Sequence, residues 1–89
     1  TLDPAVAKVL GEVFELQNLK PPQLQPSLQK LNDLLAARPN MKAYDKSTTY
    51  QMRGSIKVQL DDYQGALRDF QAALDANGLP PNQNNQLRY

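Results

Sequence analysis

Residues 50–74 read Tyr50-Gln51-Met52-Arg53-Gly54-Ser55-Ile56-Lys57-Val58-Gln59-Leu60-Asp61-Asp62-Tyr63-Gln64-Gly65-Ala66-Leu67-Arg68-Asp69-Phe70-Gln71-Ala72-Ala73-Leu74. The placing of small and bulky residues in this run decides the fold. Gly54, Ala66 and Ala73 are small, whereas Tyr50, Tyr63 and Phe70 are large. Two helices separated by the polar turn Asp61-Asp62 would use the small residues to bring their backbones close and the rings to fill the volume around them. The first of these helices is expected from about Lys42 to Leu60, since no proline interrupts it and its only glycine is Gly54. On a helical wheel it carries two apolar faces, one of Met52, Ile56 and Leu60 and one of Tyr50, Gly54 and Val58, so it needs neighbours on both sides. The second is expected from about Tyr63 to Ala76, with Ala66, Leu67, Phe70, Ala73 and Leu74 facing inward. Asn77-Gly78 then supplies a left-handed stop.

Proline marks out two more helices on the N-terminal side. Asp3-Pro4 opens the first, because Asp can accept from free helix-end amides and proline's fixed φ suits the first helical position. Val6, Val9, Leu10, Val13, Phe14 and Leu16 recur at three- and four-residue spacing up to Gln17-Asn18. After Pro21-Pro22, Pro26 and Ser27 fall in the opening turn of a second helix whose stripe is Leu24, Leu28, Leu31, Leu34 and Leu35. Ser27 is expected to help that start by satisfying backbone amides near Pro26, and Arg38-Pro39-Asn40 ends the helix. No stretch sustains a period of two, so strands are not expected. The chain reads as all-α, its short connections setting successive helices antiparallel as stacked helical hairpins.

The composition limits the chemistry. The chain has 89 residues, 10 Lys+Arg against 9 Asp+Glu, and no His, Cys or Trp. It allows one small domain, which buries only about 60 to 65% of the surface its unfolded form exposes. Lacking imidazole and thiol, it cannot build a zinc site of the usual kind, a Cys-His or Ser-His nucleophile pair, or a redox dithiol. No metal and no cofactor is expected, and an enzyme is not. A formal charge of +1 falls short of what neutralising several phosphates demands, so nucleic acid is a poor partner. Apolar runs of a few residues give no membrane insertion. Gln and Asn together number 17, which keeps the surface polar with little charge. The lack of Cys fits an oxidising compartment or simple chance. The chain starts at Thr1, as an N-terminus left by signal cleavage or by trimming would.

Shifting the sequence by 39 residues lays Leu31, Leu34 and Leu35 on Phe70, Ala73 and Leu74, and Tyr50 on Tyr89. The match is of pattern. From Tyr50 to Pro81, the aromatic at Tyr50, Gly54 four residues on, Asp62-Tyr63 at the turn, Ala66, Phe70, Ala73-Leu74 and the closing prolines resemble a tetratricopeptide repeat. This hairpin covers about a third of the chain. The stretch from Pro4 to Pro39 is similar to a divergent copy, with Ser27 in place of Ala66 and Leu34 in place of Ala73, so its helices should pack further apart or at another angle. Met41 to Lys46 lengthens the repeat beyond the usual length of about 34 residues. That extension, followed by Thr49-Tyr50-Gln51-Met52-Arg53-Gly54, also resembles a branch of bacterial periplasmic tetratricopeptide proteins, some of which accompany TonB-type energy-transducing systems. The resemblance implies residues 1–40 as a divergent hairpin, 41–79 as a repeat hairpin and 80–89 as the start of a further helix. It favours the periplasm over the cytoplasm.

In that family the first helix of each hairpin lines a concave, peptide-binding groove. Carried onto this chain, the resemblance implies groove positions Thr48, Gln51, Ser55, Val58 and Gln59, mostly uncharged hydrogen-bonding side chains suited to peptide backbone. Lys46, Arg53 and Lys57 form a basic strip beside Tyr50, departing from the apolar residues the family usually has at Arg53 and Lys57. Either their stems lie along the hairpin seam while their heads reach water or meet Asp61, Asp62 or Asp69, or the strip receives an acidic partner segment. Ser27-Leu28-Gln29-Lys30 matches the Ser-x-x-Lys of serine acyl enzymes, but the other elements of that machinery are missing. Asp61 and Asp62 are adjacent turn residues pointing in different directions, which turn chemistry explains better than catalysis.

Repeat hairpins bury their faces on neighbours, and roughly three are needed for stability. Leu87 and Tyr89 are therefore expected to begin a fifth helix, and the apolar edge near Leu67, Leu74 and Leu79 to be covered by that segment or by a second copy of the chain. The expected function is a non-catalytic protein- or peptide-binding or scaffolding module. The alternative is a purely structural segment for self-association or spacing in a larger protein.

Overall fold

A computed structural model describes residues 2–76, and they form four α-helices and no strand: α1 (Pro4–Gln17), α2 (Leu24–Ala37), α3 (Ala43–Gln59) and α4 (Tyr63–Asp75). The expected stop at Asn77-Gly78, the prolines after it, Leu79 and the fifth helix at Leu87 and Tyr89 lie outside the described residues.

Local chemistry sets each boundary. The Asp3 carboxylate accepts from the Ala5 amide at 2.9 Å, with Pro4 at the first helical position of α1, which spares the helix an orphan donor. The connection to α2 folds back on itself, the Gln23 amide donating to the Leu16 carbonyl at 2.9 Å. Ser27 behaves differently from expectation: its buried hydroxyl donates to the Gln23 carbonyl at 2.6 Å instead of accepting from an amide. Its one proton satisfies the carbonyl one turn back, a bond open to a hydroxyl inside a helix. α2 ends at Ala37 because Arg38, which precedes Pro39, is pushed out of the helical region to φ −131°.

The α3–α4 turn is tight. Asp61 takes a left-handed φ of 63°, a region that Asp tolerates better than most residues. Asp62 then caps α4, its Oδ1 accepting from the Gly65 amide at 3.0 Å.

Successive helices run antiparallel, so the end of α2 returns to the start of α1, where Arg38 lies 3.7 Å from Asp3. The apolar core joins three helices: Val6, Leu10 and Val13 from α1, Leu31 and Leu34 from α2, and Ile56 from α3. Burying each such Leu or Ile contributes about 2 kcal/mol before ordering costs. At the other seam Gly54, Ala66 and Ala73 are all buried, as their size suggested, and Phe70 packs on Gly54.

Four large residues turn outward against expectation. Leu67 is 70% exposed and Phe14 61%, while Tyr63 and Val58 also face out. The phase of α4 explains Leu67: its inward stripe runs Ala66, Asp69, Ala73, with Leu67 one residue, about 100° of helix rotation, away. In α1 the buried stripe is Val6, Leu10, Val13, which leaves Phe14 on the adjoining face. Tyr63 opens α4 and donates its hydroxyl back to Asp61 at 3.0 Å, outside the seam it was expected to fill. Val58 follows Gly54 by four residues on the same side of α3, yet it is 40% exposed where Gly54 is buried.

Candidate functional site

Between the two non-consecutive helices α1 and α3 lies a shallow depression of about 310 Å³, lined by Phe14, Gln17, Thr48, Gln51, Met52 and Ser55. Three of the five groove positions meet here. Thr48, Gln51 and Ser55 follow one another at three- and four-residue spacing on α3, which puts them on one face. Val58 and Gln59, one turn further on, are exposed but do not line the depression.

The hydrogen-bonding capacity of this face is mostly unspent. The Thr48 hydroxyl donates to the Tyr44 carbonyl at 2.8 Å and keeps its acceptor lone pairs. Gln51 donates through Nε2 to Ser47 Oγ at a long 3.4 Å, leaving its carbonyl oxygen and a second N–H. Among the described residues the Ser55 hydroxyl has no partner, although the Ser55 backbone carbonyl accepts from Gln59 Nε2 at 3.5 Å. Across the depression the exposed ring of Phe14 and the half-buried side chain of Met52 supply the apolar element. An aromatic ring beside amide and hydroxyl groups can hold a peptide side chain while pairing with the peptide's backbone. Sequence reasoning placed Phe14 in the core, although helix one was expected to contribute to the groove. The signal available was its position next to Val13, off the Val6–Leu10–Val13 stripe.

The basic strip resolves into two parts. Arg53 donates through Nε to Asp69 Oδ2 at 2.9 Å and through Nη2 to Asp69 Oδ1 at 2.7 Å. Lys57 reaches the same carboxylate at 3.1 Å. The Asp69 side chain is only 3% exposed. Arg53 also donates to Asn32 of α2 at 3.1 Å and stacks over Tyr50 at 5.3 Å from the ring centre. Two of the strip's three cations are thus committed to an internal bidentate and bridging network joining α2, α3 and α4. Asp69 was one of three candidate partners in the sequence. Its burial follows from its place between Ala66 and Ala73 on the inward stripe. Lys46 lies at the other end of α3, half-buried and without an ion pair among the described residues.

A second buried carboxylate was not anticipated. Asp45, in the first turn of α3, is 1% exposed, and its Oδ2 accepts from the Asp3 amide at 3.1 Å. Among the described residues, no helix is long and apolar enough to cross a membrane. Models of known families, curated proteins and solved structures all fail to match the chain.

Proposed function

We propose that this chain is a non-catalytic helical module that binds an extended segment of a partner protein across the α1–α3 depression, in the manner of a tetratricopeptide hairpin pair. One observation carries the proposal: an exposed phenylalanine on α1 faces a row of under-used hydrogen-bonding side chains on α3, across a depression of about 310 Å³. An incoming strand of peptide loses water from its amides and carbonyls, and Gln51, Thr48 and Ser55 replace those bonds while Phe14 takes an apolar side chain. Specificity would come from the side chain against Phe14 and Met52, since the amide-and-hydroxyl row recognises backbone common to all sequences.

The test is a peptide array or a pull-down from a bacterial periplasmic extract, followed by titration of the captured peptide into the parent, Phe14→Ala and Gln51→Ala. Capture that both substitutions weaken supports the proposal, whereas undiminished binding by both variants sinks it.

A second reading, self-association or spacing, draws on the outward ridge of Tyr63 and Leu67 on α4. A monomer exposing a contiguous apolar ridge of this kind favours covering it with another surface. Gel filtration showing a defined oligomer, with no peptide captured, would favour that reading.

A further inference from the structure

Near the start of α1 and the α2–α3 connection lies an open cavity of about 370 Å³, whose wall includes Asp3, Val6, Arg38, Met41, Lys42 and Asp45. Asp45 is the unusual member. It is 1% exposed, and while Oδ2 accepts from the Asp3 amide at 3.1 Å, Oδ1 is buried with no hydrogen-bond partner. No cation pairs with it among the described residues: Arg38 sits 3.7 Å from Asp3 instead, and Lys42 makes no ion pair. A buried carboxylate holding one neutral amide bond and one vacant oxygen is strongly under-compensated. The helix N-terminus beneath it offsets part of that cost, but fills no lone pair on Oδ1. A charged N–H donor would fill that lone pair and offset the charge together.

The rest of the wall narrows what that donor belongs to. Asp3 adds a second acid, whereas Arg38 and Lys42 place cations on the same wall and disfavour a bare polycation. Among the described residues no cluster of three or more metal-ligating side chains forms, so the acid pair falls short of the six or more oxygens that a hard divalent ion prefers. Two acids and two bases around a small cavity match a group that carries a cation and an acceptor a bond or two apart. Val6 and Met41 provide an apolar wall for the carbon between them. We infer that this cavity binds the α-ammonium group of an amino acid or of a peptide N-terminus, with Asp45 accepting from the ammonium and Arg38 and Lys42 facing the adjoining carboxylate or carbonyl. This site is separate from the α1–α3 depression, with which it shares no lining residue, so it stands or falls independently of the proposed function.

The experiment is a heteronuclear NMR titration of the 89-residue chain with glycine, triglycine, N-acetylglycine and sodium chloride. Saturable shifts at Asp3, Val6 and residues 38–45 are expected with glycine and triglycine and not with the acetylated compound or salt. Tighter binding of triglycine identifies a peptide N-terminus, and tighter binding of glycine a free amino acid. Asp45→Asn keeps the acceptor for the Asp3 amide and removes the charge, so affinity should fall by about 10- to 100-fold, the worth of a charge-assisted hydrogen bond. Equal response to N-acetylglycine, or no localised response to any ammonium-bearing probe, overturns the inference. If Asp45→Asn does not fold, cross-relaxation between glycine methylene protons and the methyl groups of Val6 and Met41 in the parent decides the matter. Its absence at saturation overturns the site.

Discussion

Gly54 lies so close beneath Phe70 that a methyl group added at its Cα would come within 2.7 Å of Phe70 Cε1 and 3.0 Å of Cδ1. That contact sets how near α3 and α4 approach. Alanine at position 54 gains about 1 kcal/mol of helix propensity but must displace the ring, and overpacking typically costs about 1 to 3 kcal/mol. Gly54→Ala should therefore destabilise the chain by about 1 kcal/mol in chemical denaturation. Phe70→Leu combined with Gly54→Ala should recover at least about 0.5 kcal/mol relative to the sum of the single changes. Strict additivity would mean that the two residues do not touch. Because Phe70 is half-buried, Phe70→Ala should cost about 2 to 3 kcal/mol, at or below the low end for a buried ring.

Asp69 should be the most sensitive polar position. Replacing it with Asn leaves Arg53 and Lys57, whose side chains are only about a fifth exposed, without their shared counter-ion. Removing one member of a buried pair costs about 3 to 5 kcal/mol. Since both cations retain some access to water, about 3 kcal/mol is expected for Asp69→Asn from the denaturation midpoint. A loss no larger than that of an exposed ion pair would show that the network is not formed in solution.

At the α3–α4 turn, two neighbouring aspartates should respond in opposite senses. Asp61 holds φ 63°, so Asp61→Gly relieves strain and should leave the melting temperature unchanged or raise it, whereas Asp61→Val should lower stability by about 1 to 2 kcal/mol. Asp62→Ala removes the cap on the Gly65 amide and should cost about 1 kcal/mol. Thermal melts of the three variants check this ordering.

Phe14→Ala should be nearly silent in stability, within about 0.5 kcal/mol, because its ring is exposed. The contrast with Val13→Ala, one residue away and fully buried, is the informative measurement. Similar losses for the two would return Phe14 to the core and remove it from the depression.

Leu67→Glu separates the two functional readings. Sedimentation across a concentration series should show an associating parent and a monomeric variant if the ridge on α4 pairs chains. Peptide capture by the α1–α3 face should be unaffected.

The helices, their order and nearly all their ends could be read from proline, aspartate and apolar spacing, because those signals act within one or two turns. The small trio Gly54, Ala66 and Ala73 was legible for the same reason: small residues on facing sides of two helices joined by a short turn let their backbones approach closely. The rotation of each helix about its axis was less so. Leu67, Phe14 and Val58 sit at the edges of apolar stripes, and whether an edge residue is covered depends on the neighbouring helix's angle, which no local pattern carries. Buried Asp69 and Asp45 were harder still. A carboxylate on an inward face looks like an error of phase until the partner appears, here Arg53 sixteen positions earlier in one case and the Asp3 amide 42 positions earlier in the other. Of the candidate groove, the α3 row followed from resemblance, whereas its apolar half on α1 needed coordinates.

The bond from the Asp3 amide to Asp45 also governs how the molecule can come apart. Fraying that begins at the amino end of the first helix would take from the third helix's hidden acid the one donor it has among the described residues and let water reach it. Unzipping from that end therefore breaks a long-range bond at its first step, so the opening turn of α1 and the first turn of α3 loosen together.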